Sequence, residues 1–196
     1  KLGEKQIRIM AYHQIARAIV AKAISYNDNI DKITIIPTAK NTGGYTRFIP
    51  SEEEGLLTKA YLKSKLIVIL AARASEKLVY GNNEITQGTT NDLNNVTRIA
   101  REMVTKYGFS SLGPIAFQGN PNDVFLGKSL LSNKTNYSQS TNKEIDKEVF
   151  LLVKQSQNKA EEILIKFRYQ MDNIVINLIE EETISFQRFQ DLFSMY

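Results

Sequence analysis

The residues with most chemical promise lie near the start of the chain, in Tyr12-His13-Gln14-Ile15-Ala16-Arg17-Ala18-Ile19-Val20. On a helix, positions four apart share a face, so side chains 13 and 17 can meet one ligand. Zinc peptidases use this spacing in the pattern H-E-x-x-H. Two neutral imidazoles hold the ion, and the glutamate takes a proton from its bound water. Here the same slots read His13, Gln14 and Arg17. A guanidinium stays protonated, offers no lone pair and repels a dication. A carboxamide can orient a water but cannot take its proton. The chain has one histidine and no cysteine, so it cannot by itself build a site that needs two imidazoles or a thiolate.

These side chains depend on the elements that carry them. From Lys5 to Ile24, apolar residues recur at helical spacing without Gly or Pro, which predicts a helix of about five turns ended by Asn27-Asp28-Asn29. Lys32 to Ile36 and Tyr45 to Ile49 are rich in β-branched and aromatic residues. They predict a β-hairpin with a long loop from Thr38 to Gly44. Thr58 caps a second helix reaching about Tyr80 and stopped by Gly81. After a polar loop, Asn82 to Thr89, a third helix opens at Thr90-Asn91-Asp92, and Gly108 suits a left-handed terminus. Residues 109–137 are irregular. Ser138 and Ser140 are N-cap candidates for the longest periodic stretch, through Ile145 to Phe167. Met171 to Ile179 follows as a helix packed back on it, and Ser185 caps a short last helix. The fold class is therefore mainly α, with one small β-hairpin in the N-terminal third and no internal repeat.

Composition narrows the setting. A net charge of +4 spread along the chain does not mark a nucleic-acid binder. The longest apolar run, Leu66 to Ala72, is far short of the roughly 18–20 residues that span a bilayer. There is no initiator Met and no charged-then-apolar leader, so the chain reads as a piece of something larger. Gly127-Lys128-Ser129 lacks the upstream glycine and strand of a phosphate-binding loop. Glu52-Glu53-Glu54 and Glu180-Glu181-Glu182 read as solvated charge runs, and Phe186, Phe189 and Phe193 as one packing face.

Over about residues 5–194 the chain resembles, in one register, the peptidase domain of FtsH, the membrane-anchored AAA+ zinc metalloprotease family. Ala11 to Val20 is similar to A-Y-H-E-A-G-H-A-I/L-V except at the chemistry, and Lys32 to Pro37 looks like the strand that follows. Gly44-Tyr45-Thr46 matches G-Y-T. Leu70-Ala71-Ala72-Arg73-Ala74-Ser75-Glu76 matches L-G-G-R-A-A-E with both glycines turned to alanine. Glu84 to Leu93 resembles E-I-T-T-G-A-S-N-D-L, and the stretches around Arg98 to Thr105, Gly113-Pro114, Val124 to Gly127, Tyr137-Ser138 and Glu181 to Ile184 continue the likeness.

The resemblance implies that the two helix histidines map onto His13 and Arg17, the general base onto Gln14, and a third ligand, an aspartate, onto Asp92. Two of the four positions keep their chemistry. The whole chain, 1–196, then reads as one FtsH-like peptidase domain, with the ATPase and transmembrane parts expected upstream. No catalytic residue and no metal are expected within it. Arg17 is expected to replace the metal by pairing with Asp92 and also Glu76, because a carboxylate placed for an ion needs another cation beside it. The leading expectation is a ring-forming, non-cutting part of an ATP-driven motor that unfolds or pulls polypeptides. The resemblance implies a homo- or hetero-oligomer, a hexameric ring in the family's manner, with ATP and Mg on the missing portion. Two other readings stay open: an active zinc endopeptidase using His13, Asp92 and a carboxylate such as Glu76, and a helical adaptor unrelated to a motor. Twenty-two Ile, 17 Lys and 16 Asn suggest AT-rich coding. Together with the resemblance this points to a plastid membrane, thylakoid or inner envelope, with a bacterial inner membrane as the alternative.

Overall fold

A computed structural model describes residues 2–51, 55–117 and 138–196. The charge run at 52–54, the Gly127-Lys128-Ser129 motif, the Val124 to Gly127 likeness and Tyr137 lie outside the described residues. The architecture is six helices around one small sheet among the described residues: α1 (Glu4–Ala23), β1 (Asn29–Thr34), β2 (Tyr45–Ile49), α2 (Lys59–Tyr80), α3 (Thr90–Thr105), α4 (Gln139–Lys166), α5 (Arg168–Glu181), β3 (Thr183–Ser185) and α6 (Phe186–Met195).

Several boundaries follow from local chemistry. The Thr58 hydroxyl accepts the Tyr61 amide at 3.0 Å to open α2, and Gly81, at φ +93°, closes it. Ser138 and Ser185 do the same for α4 and α6, accepting from Thr141 and Arg188. The first helix stops earlier than the Asn27-Asp28-Asn29 run suggested. Ser25 takes φ +53°, and Asn29 already belongs to β1, which ends at Thr34 rather than Ile36. Beyond Thr34 the ladder ends because the Thr34 hydroxyl takes the Ile36 amide.

The hairpin is one side of a three-stranded antiparallel sheet, ordered β2-β1-β3. β1 meets β2 through pairs such as Ile33↔Thr46 and Thr34↔Tyr45, with a shift between Ile30 and Lys32, and meets β3 through Lys32↔Ser185 to Thr34↔Thr183. Only three residues of β3 sit between two helices, too few for a period-2 pattern to register. The expected loop from Asn82 to Thr89 contains two short 3-10 turns, Asn82–Glu84 and Gln87–Thr89. α5 does not fold back mainly on α4; it lies chiefly against α1, burying Met171, Ile174 and Leu178 there.

α1 is the centre of the molecule. Every residue from Met10 to Ala16 is buried, as are Ala18 to Ala21. It is walled by α2, α5 and the sheet in a core holding Ile15, Ile19, Ile33, Leu164 and Phe189. A second core joins α2, α3 and α4 through Leu66, Leu70, Met103 and Ile145. Each large side chain so buried contributes roughly 1.5–3 kcal/mol of transfer free energy. Two polar residues, His13 and Gln14, are carried inside with this helix, so their hydrogen-bonding groups need protein partners.

Candidate functional site

α1 delivers His13, Gln14 and Arg17 to one end of a cleft of about 460 Å³. α3 brings Asp92 in its first turn, where the helix N-terminus favours a carboxylate. The β1–β2 connection and β2 form the facing wall. Gly44 makes that wall possible. Its φ is +74°, and a Cβ there would lie 2.3 Å from the Thr34 carbonyl oxygen and 2.7 Å from the Ile35 Cα. Only glycine fits the turn that presents Thr46 to α1.

Two polar clusters result. In the inner one, His13 Nε2 lies 3.0 Å from Glu76 Oε2, with Glu76 wholly buried on α2. The second carboxylate oxygen accepts the Thr86 amide at 3.0 Å and the Thr86 hydroxyl at 2.6 Å. Burial raises the Glu76 pKa, but the hydrogen bonds from His13 and Thr86 and the charge of His13 outweigh it, holding the carboxyl below its ordinary range. An ionised carboxylate only accepts, so His13 Nε2 carries the proton in this contact, and any lone pair of the ring lies on Nδ1.

In the outer cluster, Arg17 Nη2 donates to Asp92 Oδ2 at 2.8 Å and Nη1 donates to Gln14 Oε1 at 2.8 Å. The two charged side chains are 20% and 22% exposed, so water still screens their pair. Gln14 is 2% exposed and fully engaged. Its Nε2 donates to the Gly43 carbonyl at 3.1 Å, while its Oε1 also receives the Thr46 hydroxyl at 3.1 Å. These partners fix the amide's orientation, because a flipped amide would set its own donor against the two donors, Arg17 and Thr46, and its oxygen against the Gly43 carbonyl. Both Oε1 lone pairs are used, so the expected water-orienting capacity is taken up by protein groups.

Of the residues that the sequence singles out, His13, Gln14, Arg17 and Asp92 line the cleft, while Glu76 is wholly buried and meets His13. The structure brings Arg17 to Asp92. It does not bring Glu76 to Arg17: both Glu76 oxygens are committed to His13 and Thr86. Among the described residues no three His, Cys, Asp or Glu side chains converge as a metal group. Of the ligand-slot residues, His13 and Asp92 carry lone-pair chemistry and Arg17 carries none. Thr46, Thr86 and the Gly43 carbonyl were missed as members of the site. Their signal was the likeness of Gly44-Tyr45-Thr46 and of Glu84 to Leu93, which marked the segments without giving these residues a role. The far end of the cleft holds another unforeseen contact, the Tyr61 hydroxyl donating to Asp28 Oδ2 at 3.0 Å, with Tyr26 stacked on Tyr61.

The family model described as peptidase family M41 matches residues 1–192. The chain is 40% identical over 193 residues to the ATP-dependent zinc metalloprotease FtsH of Chloroflexus aggregans, covering 97% of this chain and 29% of that protein. It is 37% identical over 195 residues to ATP-dependent zinc metalloprotease FtsH 3 of Synechocystis, covering 97% of this chain and 31% of the relative. Against the FtsH of Trieres chinensis the identity is 35% over 193 residues, 98% of this chain and 30% of that one. The chain thus spans about a third or less of the length of these curated relatives.

Proposed function

The chain belongs to peptidase family M41, and from that premise we propose that it is a peptidase-fold domain without peptidase chemistry, serving as the ring-forming part of an ATP-driven motor that unfolds or pulls polypeptides. One observation carries this reading: the Arg17 guanidinium lies between Asp92 and Gln14, where the resemblance puts an electron-pair donor. Zinc does not fit this donor set. Arg17 has no lone pair at any working pH and His13 Nε2 donates to Glu76, so Asp92 and at most the second imidazole nitrogen stand against the three or four protein ligands a zinc site needs. Gln14 cannot serve as a base, and its acceptor is already occupied.

Charge supports the same reading. In the family pattern a dication, a base carboxylate and a ligand carboxylate sum to zero. Here one guanidinium, one carboxylate and a neutral amide also sum to zero. Loss of the metal alone would leave Asp92 uncompensated, at about 1–3 kcal/mol for an unpaired, partly buried charge. Arg17 supplies the compensating charge without exchangeable metal.

The ring part of the proposal rests on the family and on a surface. Phe150 and Leu151 of α4 are 75% and 47% exposed, and Phe150 borders a groove of about 780 Å³ floored by Leu70, Leu93 and Val149. Such a patch suits packing against a neighbouring subunit. No helix among the described residues is long and apolar enough to cross a membrane. Attachment is proposed through an upstream segment, in a plastid membrane (thylakoid or inner envelope) or else a bacterial inner membrane. ATP and Mg are proposed on the remainder of the protein, and polypeptides as what it handles, in protein quality control or translocation. Incubating the intact protein with ATP and unfolded casein is expected to give ATP turnover without new peptide termini, from a particle of hexamer mass. Chelator-sensitive cleavage would overturn the proposal.

A further inference from the structure

Resting on that reading, we propose that Gln14 is a positioning residue rather than the relic of a base: with Arg17 it forms one metal-free cross-link that ties α1 to α3 and to β2, so the two side chains act as a single unit.

The geometry of Gln14 is what a cross-link requires. Three elements converge on it and its neighbour: α3 through Asp92 on Arg17, the β1–β2 connection through the Gly43 carbonyl, and β2 through the Thr46 hydroxyl. The Thr46 hydroxyl also lies 3.1 Å from the Gln14 backbone oxygen, so its single proton is shared between two acceptors on one residue. A carboxylate at position 14 could not reproduce this. It would set an acceptor against the Gly43 carbonyl at the distance where the amide now donates, and it would give Arg17 a second anion. A methionine or leucine would leave the Gly43 oxygen and one arm of Arg17 without their partner, and the Thr46 hydroxyl with the backbone oxygen alone, at a position 2% exposed. The amide has one donor and one acceptor end, and each end has its complement here. Arg17 is equally specific. Its planar fork reaches Gln14 with one nitrogen and Asp92 with the other, a span that the point charge of a lysine cannot hold.

Coupling is readable by hydrogen exchange in the intact protein, at β2 (Tyr45–Ile49) and at the second turn of α3, residues 94–97. Arg17→Met is expected to speed exchange about tenfold at both segments, although the Arg17 hydrogen bonds go to Gln14 and Asp92 and not to β2. Gln14→Met is expected to do the same at α3, although the Gln14 side chain hydrogen-bonds to Gly43, Arg17 and Thr46 and not to α3. The double variant is expected to add little to either single one, the sign of one shared unit. Arg17→Lys is expected to keep α3 protected through Asp92 while β2 loosens, a split that general destabilisation would not give. The proposal is overturned if Arg17→Met moves α3 alone, if Gln14→Met moves β2 alone, or if the two effects simply add. Should Arg17→Met fail to fold, Arg17→Lys alone decides: equal loosening at both segments, or none, overturns the proposal. Zinc titrated into the unmodified protein provides the separate control. Stoichiometric uptake there would sink the functional reading, whatever the exchange data say about the cross-link.

Discussion

His13 with Glu76 and Thr86, and Arg17 with Gln14 and Asp92, hang from adjacent positions of one helix and are built differently. The inner cluster is sealed: Glu76 is wholly buried, and its two oxygens take three hydrogen bonds. The outer cluster faces the cleft, its ion pair about a fifth exposed, and ties α1 to α3, the β1–β2 connection and β2, where the inner one ties α1 to α2 and a nearby turn. The difference teaches where chemistry can change without loss of fold. In the inner cluster a single replacement leaves a buried charge or a buried polar group without a partner. In the outer one, Gln14 and Arg17 stand where the family resemblance puts a carboxylate and an imidazole, and both side chains find partners within the protein.

If that contrast is right, the largest effect belongs to the inner cluster. Glu76→Ala should destabilise by about 3 kcal/mol, because it strands His13 and the Thr86 amide in a dry site; denaturant unfolding measures it. Gly44→Ala follows at about 2 kcal/mol, since the new Cβ meets the Thr34 carbonyl and the backbone sits at positive φ. Its loss should appear with weaker protection of β2. Arg17→Met should cost about 1–2 kcal/mol, less than Glu76→Ala, because water reaches the stranded Asp92. A larger cost for Arg17→Met than for Glu76→Ala would break the comparison. Thr46→Val should cost about 0.5–1.5 kcal/mol, one hydrogen bond.

The smallest effect is a slope. Glu76 has its pKa lowered by folding, so its contribution to stability is fully present above the unfolded carboxyl value and is lost as pH falls through the lower, folded one. Stability measured from pH ~5 downward should therefore fall less steeply in Glu76→Gln than in the unmodified protein. An unchanged slope would mean that Glu76 is not held in its ionised form by His13 and Thr86.

The helices were legible because their caps and periods are local: Thr58, Gly81 and Ser185 mark ends that depend on nothing distant. The third strand was not, since Thr183 to Ser185 becomes a strand only through pairing with β1, far away in sequence. α5 was legible as a helix but not in its placement, because an apolar face does not say which neighbour covers it. At the site, the identities at 13, 14, 17 and 92 were readable from spacing and from the family resemblance. The role of Gln14 was not, since its partners Gly43 and Thr46 reach it only through the turn at Gly44. Glu76 was misassigned for a similar reason: charge alone paired it with Arg17, whereas its place on α2 gives it to His13.

The account stands on the claim that a guanidinium has displaced the metal. Elemental analysis of the intact protein, dialysed to equilibrium against micromolar zinc, tests it most directly. The prediction is no stoichiometric zinc on the unmodified protein. One tightly held zinc per chain, lost on changing His13 or Asp92 to alanine, would contradict it.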